Sequence, residues 1–267
     1  MNPKLLLKVF PVVLLTIVPV VGLTAVSRSE RVVIPQPVNQ SQTIKRLIQQ
    51  LKSEDSNTRS AAAKALGAIG EGAIPSLLPL LKDSDGRVRW SAISAFWGMG
   101  KSAKSAIPSL LPMLKDSDGR VRSSAAYALG NIGESAKSAI PNLLPLLNDS
   151  DKRVRSSAAG AFGKMGESAK PTIPSLLPLL NDSDGRVRLS AAYALGKMSE
   201  SANAIPSLIS LLKDSDEFLR WSAAEALGNI GESAKSAIPS LIPLLKDSDL
   251  IVRLYAATAL EELGYKP

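Results

Sequence analysis

Six short turns in this sequence bring acidic side chains together, and the first of them is Asp83-Ser84-Asp85-Gly86. An Asp-x-Asp-Gly pattern is similar to part of a calcium-binding loop, in which carboxylate oxygens hold the cation. Such a loop also needs further oxygen ligands and a closing glutamate, and neither follows here. We therefore predict that these aspartates serve the fold and that the chain has no metal ligands.

Catalytic side chains are scarce, because the 267 residues include no histidine and no cysteine. The chain can form neither a Ser-His-Asp triad, nor a cysteine nucleophile, nor a metal site that needs histidine. Gly100-Lys101-Ser102 resembles the end of a phosphate-binding loop, but Ala95 occupies the place of that loop's first glycine. Ser210 and Lys213 match a Ser-x-x-Lys pair, yet Ser210 replaces a proline found in corresponding segments. We predict a protein that is not an enzyme and has no catalytic or cofactor-binding residues.

The net charge of +8 is compatible with an anionic partner such as a nucleic acid. The basic residues are dispersed in one pattern along the chain and do not form a single run, which favours a solvated surface. Nucleic acid is therefore an unlikely partner. It stays open as an alternative that would use Arg87, Arg120, Arg153 and Arg186.

The chain repeats itself from Ile44 onward. The dipeptide Ile-Pro recurs at steps of 33, 33, 33, 32 and 33 residues, at Ile74, Ile107, Ile140, Ile173, Ile205 and Ile238. The short step arises in the loop around Asn203, outside the predicted helices. A unit of this length buries too little apolar surface to fold alone, so neighbouring units must stack on each other.

The pattern of apolar residues predicts two short helices in each unit. Ile74, Leu77 and Leu81 fall on one helical face, and a second apolar stripe begins at Val88. Ser84 or Asp85 can cap the second helix, and glycines such as Gly100 suit a left-handed turn at its end. The second proline of the first helix should bend it, and it recurs in every unit from the second onward except one, where Ser210 stands instead.

These residues resemble HEAT repeats, in the short form found in phycobilisome lyase subunits. The resemblance rests on a proline, an aspartate, a valine and an arginine at fixed spacing, first as Pro75, Asp83, Val88 and Arg89. It implies an all-α, right-handed α-solenoid of about seven helix-turn-helix repeats. In such repeats the aspartate and arginine form a hydrogen-bonded ladder between neighbours, which here would comprise Asp83, Arg89, Asp116, Arg122, Asp149, Arg155, Asp182, Arg188, Asp214, Arg220, Asp247 and Arg253.

Residues 1–27 are predicted to be a signal peptide or a single membrane anchor. Val9 to Ser27 carry no charge and would span about 28 Å as a helix, close to the thickness of a bilayer core. Lys4 and Lys8 precede this run, which favours a cytoplasmic N-terminus and an exported remainder. We predict a linker at residues 28–42 and the repeat domain at residues 43–267. The protein is thus expected to be exported or membrane-anchored.

Three columns of the second helices vary against a nearly constant background. Spacings of four and three residues place these columns on one helical face. In HEAT solenoids the second helices line the concave side, so the large residues of these columns would face a shared groove as binding anchors. The alternative is that they fill gaps between repeats. The predicted partner-binding residues are Trp90, Trp97, Tyr127, Leu189, Tyr193 and Trp221.

The sequence therefore predicts a non-catalytic scaffold that binds a protein or peptide along the second helices. The resemblance leaves open a phycobilin-lyase-like or chaperone role in phycobiliprotein assembly, although no residue requires a chromophore. A protein or peptide is the expected partner, together with a membrane if residues 1–27 are retained.

Overall fold

The computed structural model describes residues 39–198 and 201–266, and every regular element within these ranges is helical. Seven helix pairs follow one another, as the repeat period predicts. The first helices are α1 (Gln40–Gln50), α3 (Ile74–Leu77), α5 (Ile107–Leu110), α7 (Ile140–Leu143), α9 (Ile173–Leu176), α11 (Ile205–Leu211) and α13 (Ile238–Leu241). The second helices are α2 (Ser56–Ile69), α4 (Gly86–Met99), α6 (Gly119–Ile132), α8 (Lys152–Met165), α10 (Gly185–Gly196), α12 (Glu217–Ile230) and α14 (Leu250–Glu262).

The predicted signal or anchor segment, residues 1–27, lies outside the described residues, as does most of the predicted linker. The α1 helix begins at Gln40, within the stretch predicted to be linker, and the Asn39 side chain caps it by accepting a hydrogen bond from the Ser41 amide. No helix within residues 39–198 and 201–266 is long and apolar enough to span a membrane.

Proline shapes the first helix of most repeats. After α3, residues Leu78–Lys82 continue as a 3-10 helix, because Pro79 has no N–H with which to extend the α-helical pattern. The same change follows α5, α7, α9 and α13. In the sixth repeat, where Ser210 replaces the proline, α11 continues as an α-helix for seven residues.

Aspartate and glycine mark the ends of the second helices. Asp85, rather than Ser84, caps α4 by accepting a hydrogen bond from the Arg87 amide. At the other end Gly133 has φ +74° and ψ −143°, a region that is open almost only to glycine. This differs from the left-handed α conformation that the sequence suggested, since ψ is negative. The glycine requirement is correspondingly stronger.

The core is continuous along the solenoid, because each second helix packs against the next one. Glycines allow these backbones to approach closely. A Cβ atom at Gly130 would lie 2.8 Å from the Ala161 Cα, and one at Gly196 would lie 2.8 Å from the Ala226 Cα. Glycine at this column is therefore a packing requirement, which explains its recurrence at the same position of successive repeats.

The two ends of the solenoid differ. On α1, Lys45, Arg46 and Gln49 are exposed, as expected of a polar end cap. In the last repeat Glu261 and Glu262 are exposed. Large apolar side chains of this repeat are exposed as well: Ile242, Leu245, Leu250, Ile251 and Leu254. The surface of the last repeat is therefore less polar than that of α1.

Candidate functional site

A row of partly buried ion pairs joins the repeats along their inter-helix turns. Arg122 Nε donates to Asp149 Oδ2 and Arg122 Nη2 donates to Asp149 Oδ1, both over 2.8 Å. The Nη1 atom donates to the backbone carbonyls of Asp116 and Ser117 in its own repeat. Each arginine thus binds its own turn and the next repeat at once. The structure brings together Arg89 with Asp116, Arg122 with Asp149, Arg155 with Asp182, Arg188 with Asp214, and Arg220 with Asp247.

These ion pairs shift the acidities of the carboxylates. Hydrogen bonds from Arg122, Arg155 and Arg220 lower the pKa values of their partners Asp149, Asp182 and Asp247, respectively, below the usual aspartate range. Each carboxylate also accepts the backbone amide two residues further on, as Asp149 does from Asp151 over 2.9 Å. The row is therefore structural, since its carboxylate oxygens are occupied by donors of the chain itself.

This ladder of ion pairs lacks an Arg–Asp pair at its first aspartate and at its last arginine, and one pair within it is weaker than the others. Asp83 is bound by Lys52 over 3.1 Å and not by Arg59, while Arg253 has no carboxylate partner among the described residues. Arg188 makes one contact with Asp214, over 3.2 Å, and its buried Nε has no hydrogen-bond partner. This pair spans 26 residues and has one hydrogen bond, whereas the other four pairs span 27 residues and have two.

Trp97 occupies the glycine column and thereby changes the packing between α4 and α6. Its position corresponds to Gly130, where the next repeat brings backbones into contact. The Trp97 Nε1 donates to the Ser124 carbonyl of α6 over 3.2 Å. Its ring meets Tyr127 edge-on with centroids 5.3 Å apart, and Trp90 meets it edge-on at 6.4 Å. We call Trp90, Trp97 and Tyr127 the aromatic triad.

The aromatic triad borders a hollow of about 420 Å³ on the second-helix layer. Its lining also includes Arg120, Arg153, Ser123, Ser124 and Ser157. A smaller hollow of about 250 Å³ lies on the other side of Trp90, towards α2. Trp90 and Trp97 are half-buried, and Tyr127 is 42% exposed. The triad thus packs between repeats and presents ring surface to solvent.

Lys164 of the next repeat and Asn131 support the triad. Lys164 Nζ lies 3.9 Å from the centroid of the Tyr127 ring and donates to Asn131 Oδ1 over 2.5 Å. Asn131 Nδ2 in turn donates to the Trp97 carbonyl over 3.1 Å. These contacts link α4, α6 and α8. Sequence reasoning missed Lys164 and Asn131, which become neighbours of the rings only when the repeats stack.

The remaining predicted binding residues do not join the aromatic triad. Trp221 stacks on Tyr255 with centroids 5.1 Å apart and meets Phe218 at 6.5 Å, which forms a second cluster. Tyr193 lies between the clusters, with Lys197 Nζ 5.5 Å from its ring centroid, and Leu189 is half-buried. The rings thus form two clusters, since no ring contact joins them among the described residues, and one groove shared by all six residues stays a prediction. Tyr255 was also missed, because it lies one residue beyond the variable column.

The basic row considered for nucleic acid is largely neutralised by aspartates. Arg120 Nη2 and Arg153 Nη2 donate to the capping Asp118 and Asp151 over 2.8 Å and 2.7 Å. Arg87 binds Asp85 in the same way. Each of these pairs carries no net charge, so the row offers no continuous positive stripe.

The other motifs considered in the sequence have structural positions. Gly100, Lys101 and Ser102 belong to the 3-10 segment Gly100–Ala106. Ser210 lies in α11 on an exposed face and not towards the core. Within residues 39–198 and 201–266 no cluster of three or more acidic side chains could hold a metal ion.

Comparisons with known proteins agree with this architecture. A family model described as HEAT repeats matches residues 34–97, 74–163, 107–196 and 173–261. No curated protein matches this chain. The crystal structure of one engineered protein has a TM-score of 0.55 and 26% identity, covering 83% of this chain and 96% of that one. A second engineered protein has a TM-score of 0.58 and 26% identity, with 84% and 69% covered.

A designed armadillo repeat protein in complex with the peptide (KR)4 has the same fold, with a TM-score of 0.54. It is 22% identical, and the match covers 82% of this chain and 99% of that one. The family match extends over most of the sequence and coincides with the helix pairs described above. This chain belongs to the HEAT-repeat proteins.

Proposed function

We propose that this chain is a non-catalytic scaffold that binds a protein or peptide on its second-helix layer, with the hollow beside the aromatic triad as the anchoring point. The observation that carries this proposal is the position of Trp97. It occupies a column in which glycine brings neighbouring helices into contact, and it opens a hollow lined by three aromatic rings. Exposed aromatic rings beside a hollow are typical anchors for a partner side chain.

Packing alone does not account for the triad. Repeat stacking is achieved elsewhere with Ser123 at the position of Trp90 and Gly130 at the position of Trp97. The sheer size of these two tryptophans is thus unnecessary for the solenoid, and much of Tyr127 remains in contact with solvent. The designed armadillo repeat protein, which shares this fold, is an example of a helical solenoid that holds a peptide.

Replacing the triad by residues of neighbouring repeats tests this proposal. The variant Trp90→Ser/Trp97→Gly restores the residues found one repeat later, so we expect it to fold, which circular dichroism checks. The control variant Trp221→Ala removes a ring of the second cluster only. Crosslinked capture from native cells, with mass spectrometry, should recover a partner with wild type and with the control but not with the triad variant. A partner set that is unchanged in the triad variant contradicts the proposed site.

The proposal places the scaffold outside the cytoplasm, either exported or tethered to a membrane by residues 1–27. The uncharged run from Val9 to Ser27 after Lys4 and Lys8 supports it. Cell fractionation combined with mass spectrometry of the mature N-terminus tests it. We expect either a chain that begins at Arg28 or an intact chain in the membrane fraction, whereas an intact chain in the cytoplasm contradicts the proposal.

A further inference from the structure

We propose that the hollow beside the aromatic triad takes an extended acidic peptide, with one carboxylate on Arg120 and another on Arg153. This inference rests on the proposed scaffold function and specifies its partner. The triad would hold an apolar side chain of the same peptide. Both arginines line the hollow together with Trp90, Trp97 and Tyr127.

Each of the two arginines has one nitrogen, Nη1, whose N–H groups the chain leaves unused. Arg120 donates to Asp118 through Nε and Nη2, and Arg153 donates to Asp151 through the same two atoms. The Nη1 of both side chains makes no hydrogen bond with any described residue. Since about half of each arginine side chain is exposed, at 53% and 52%, these donors are accessible from the hollow.

The chain itself shows how a carboxylate occupies such a donor. Arg87, one repeat earlier, binds Asp85 in the same manner, and its Nη1 donates to Glu54 Oε2 over 2.6 Å. Its Nη2 also lies 3.3 Å from Glu54 Oε1. Glu54 belongs to the turn of the preceding repeat. A carboxylate therefore fits beside the arginine while the aspartate remains bound.

The following repeats lack this carboxylate. Ser84 and Ser117 hold the position of Glu54 in the turns that precede Arg120 and Arg153, and a serine side chain is too short to reach the guanidinium. The two arginines that line the hollow are thus equivalent to Arg87 except that their acidic partner is missing. A carboxylate from a bound peptide would complete the pattern with a charge-assisted hydrogen bond.

Peptide carboxylates fit this site better than a nucleic-acid backbone does. The precedent within the chain is a carboxylate, that of Glu54 on Arg87, whereas arginines already paired with Asp118 and Asp151 offer no continuous positive stripe for a phosphate backbone. Neighbouring second helices lie about 10 Å apart, so the two arginines match carboxylates roughly three residues apart in an extended chain. The apolar faces of the triad suit a leucine or phenylalanine side chain.

The test uses two fluorescein-labelled peptide pools and fluorescence anisotropy with the full chain. The acidic pool has two glutamates roughly three residues apart, with leucine, phenylalanine, serine or glycine elsewhere. The neutral pool has glutamine in place of both glutamates. We expect the acidic pool to bind at least about tenfold more tightly, because each pairing adds a hydrogen bond between charged groups.

Two serine variants make the test specific without removing an arginine. Ser84→Glu/Ser117→Glu should place a carboxylate of the chain on Arg120 and Arg153, as Glu54 does on Arg87, and so displace the acidic pool. Ser150→Glu adds the same charge at the same position of the next turn, where it faces Arg186 outside the hollow. This control variant should bind the acidic pool as wild type does.

The other outcomes overturn the inference and leave the scaffold proposal separately testable. Equal binding of the two pools, or undiminished binding by Ser84→Glu/Ser117→Glu, rules out carboxylate recognition. If the neutral pool binds wild type but does not bind Trp90→Ser/Trp97→Gly, the triad is a peptide-binding site that does not require an acidic peptide. If neither pool binds, the acidic assignment is wrong, and the capture experiment decides the scaffold. Tighter binding of a thymidine oligonucleotide, with a steep salt dependence, replaces the peptide by nucleic acid.

Discussion

At the scale of single residues, two arginines in each central repeat have different roles although only one residue separates them. Arg120 is exposed and binds the capping Asp118 of its own helix, whereas Arg122 is largely buried and bridges to Asp149 in the next repeat. The difference follows from helix geometry, since neighbouring positions on a helix face different directions. One arginine is left available for a partner and the other holds the solenoid together.

The two arginines should therefore differ in their contribution to stability. We expect Arg122→Ala to lower the free energy of unfolding by about 3 kcal/mol, because it leaves Asp149 buried without its ion pair. Arg120→Ala should lower it by less than about 1 kcal/mol, since its ion pair is solvent-exposed. Urea unfolding followed by circular dichroism measures both values. Equal decreases in the free energy of unfolding would show that the ion pair between Arg122 and Asp149 stabilises the fold no more than the exposed pair of Arg120 does.

The ladder also predicts how stability depends on pH. Asp149, Asp182 and Asp247 have lower pKa values in the folded chain than in the unfolded one, so the folded state binds fewer protons. Their stabilisation is complete above the unfolded pKa of about 4 and is lost as the pH falls through the lower folded values. The chain has no histidine, so no imidazole titrates near neutral pH.

We therefore expect the urea midpoint to be nearly constant from about pH 8 to about pH 5 and to fall below about pH 4. Asp149→Asn should start from a lower midpoint and decline less steeply, because one of the titrating groups is gone. A midpoint that changes chiefly between pH 6 and pH 8 would contradict this account.

At the scale of helices, proline and glycine determine where each element changes or ends. The first helices change to 3-10 geometry at their second proline, and α11, which carries Ser210 there, remains α-helical. The second helix α6 ends at Gly133 in a conformation with positive φ. Gly160, by contrast, lies inside α8, where a Cβ atom would meet nothing within 4 Å.

These two glycines should respond in opposite directions to the same substitution. Gly133→Ala should lower the free energy of unfolding by about 1–3 kcal/mol, because alanine is strained at this φ and ψ. Gly160→Ala should raise it by up to about 1 kcal/mol, since alanine favours a helix interior and has room there. Urea unfolding of both variants provides the comparison. If Gly133→Ala instead raised the free energy of unfolding, residue 133 would not have the positive φ described here.

At the scale of the whole molecule, the junction between the fifth and sixth repeats is a weak point of the ladder. The repeat step is 32 residues there, Arg188 makes a single contact with Asp214, and its buried Nε is unpaired. Because each repeat contacts chiefly its neighbours, we expect a weak junction to divide the array into two cooperative parts. An unpaired buried donor costs about 1–3 kcal/mol.

Hydrogen exchange should locate this junction. We expect amides of α10 and α11 to open at a lower free energy than those of α6 and α8, which flank a complete bridge. Inserting one serine after Asn203 restores the step of 33 residues and should raise the protection of α10 and α11. Unchanged protection after the insertion would show that the step length does not cause the weakness.

The sequence by itself determined the local structure and its repetition. The period, a cap at Ser84 or Asp85 and the helix-changing proline at Pro79 depend on residues close together in the chain, so they are readable from the sequence, whereas the structure decided that Asp85 is the cap. The spacing of Arg122 and Asp149 likewise follows from the repeat, because each unit has nearly the same geometry. The helix pairs and the family were predictable for this reason.

Only the tertiary structure decided what happens between repeats. Where most second helices meet through a glycine, α4 meets α6 through Trp97, and a hollow lies beside its ring. The supporting contacts of Lys164, the separate position of Trp221 and the unused Nη1 of Arg120 all depend on which side chains meet across that contact. The spacing of residues along the chain does not predict these contacts, because they arise from the packing of surfaces that are far apart in sequence.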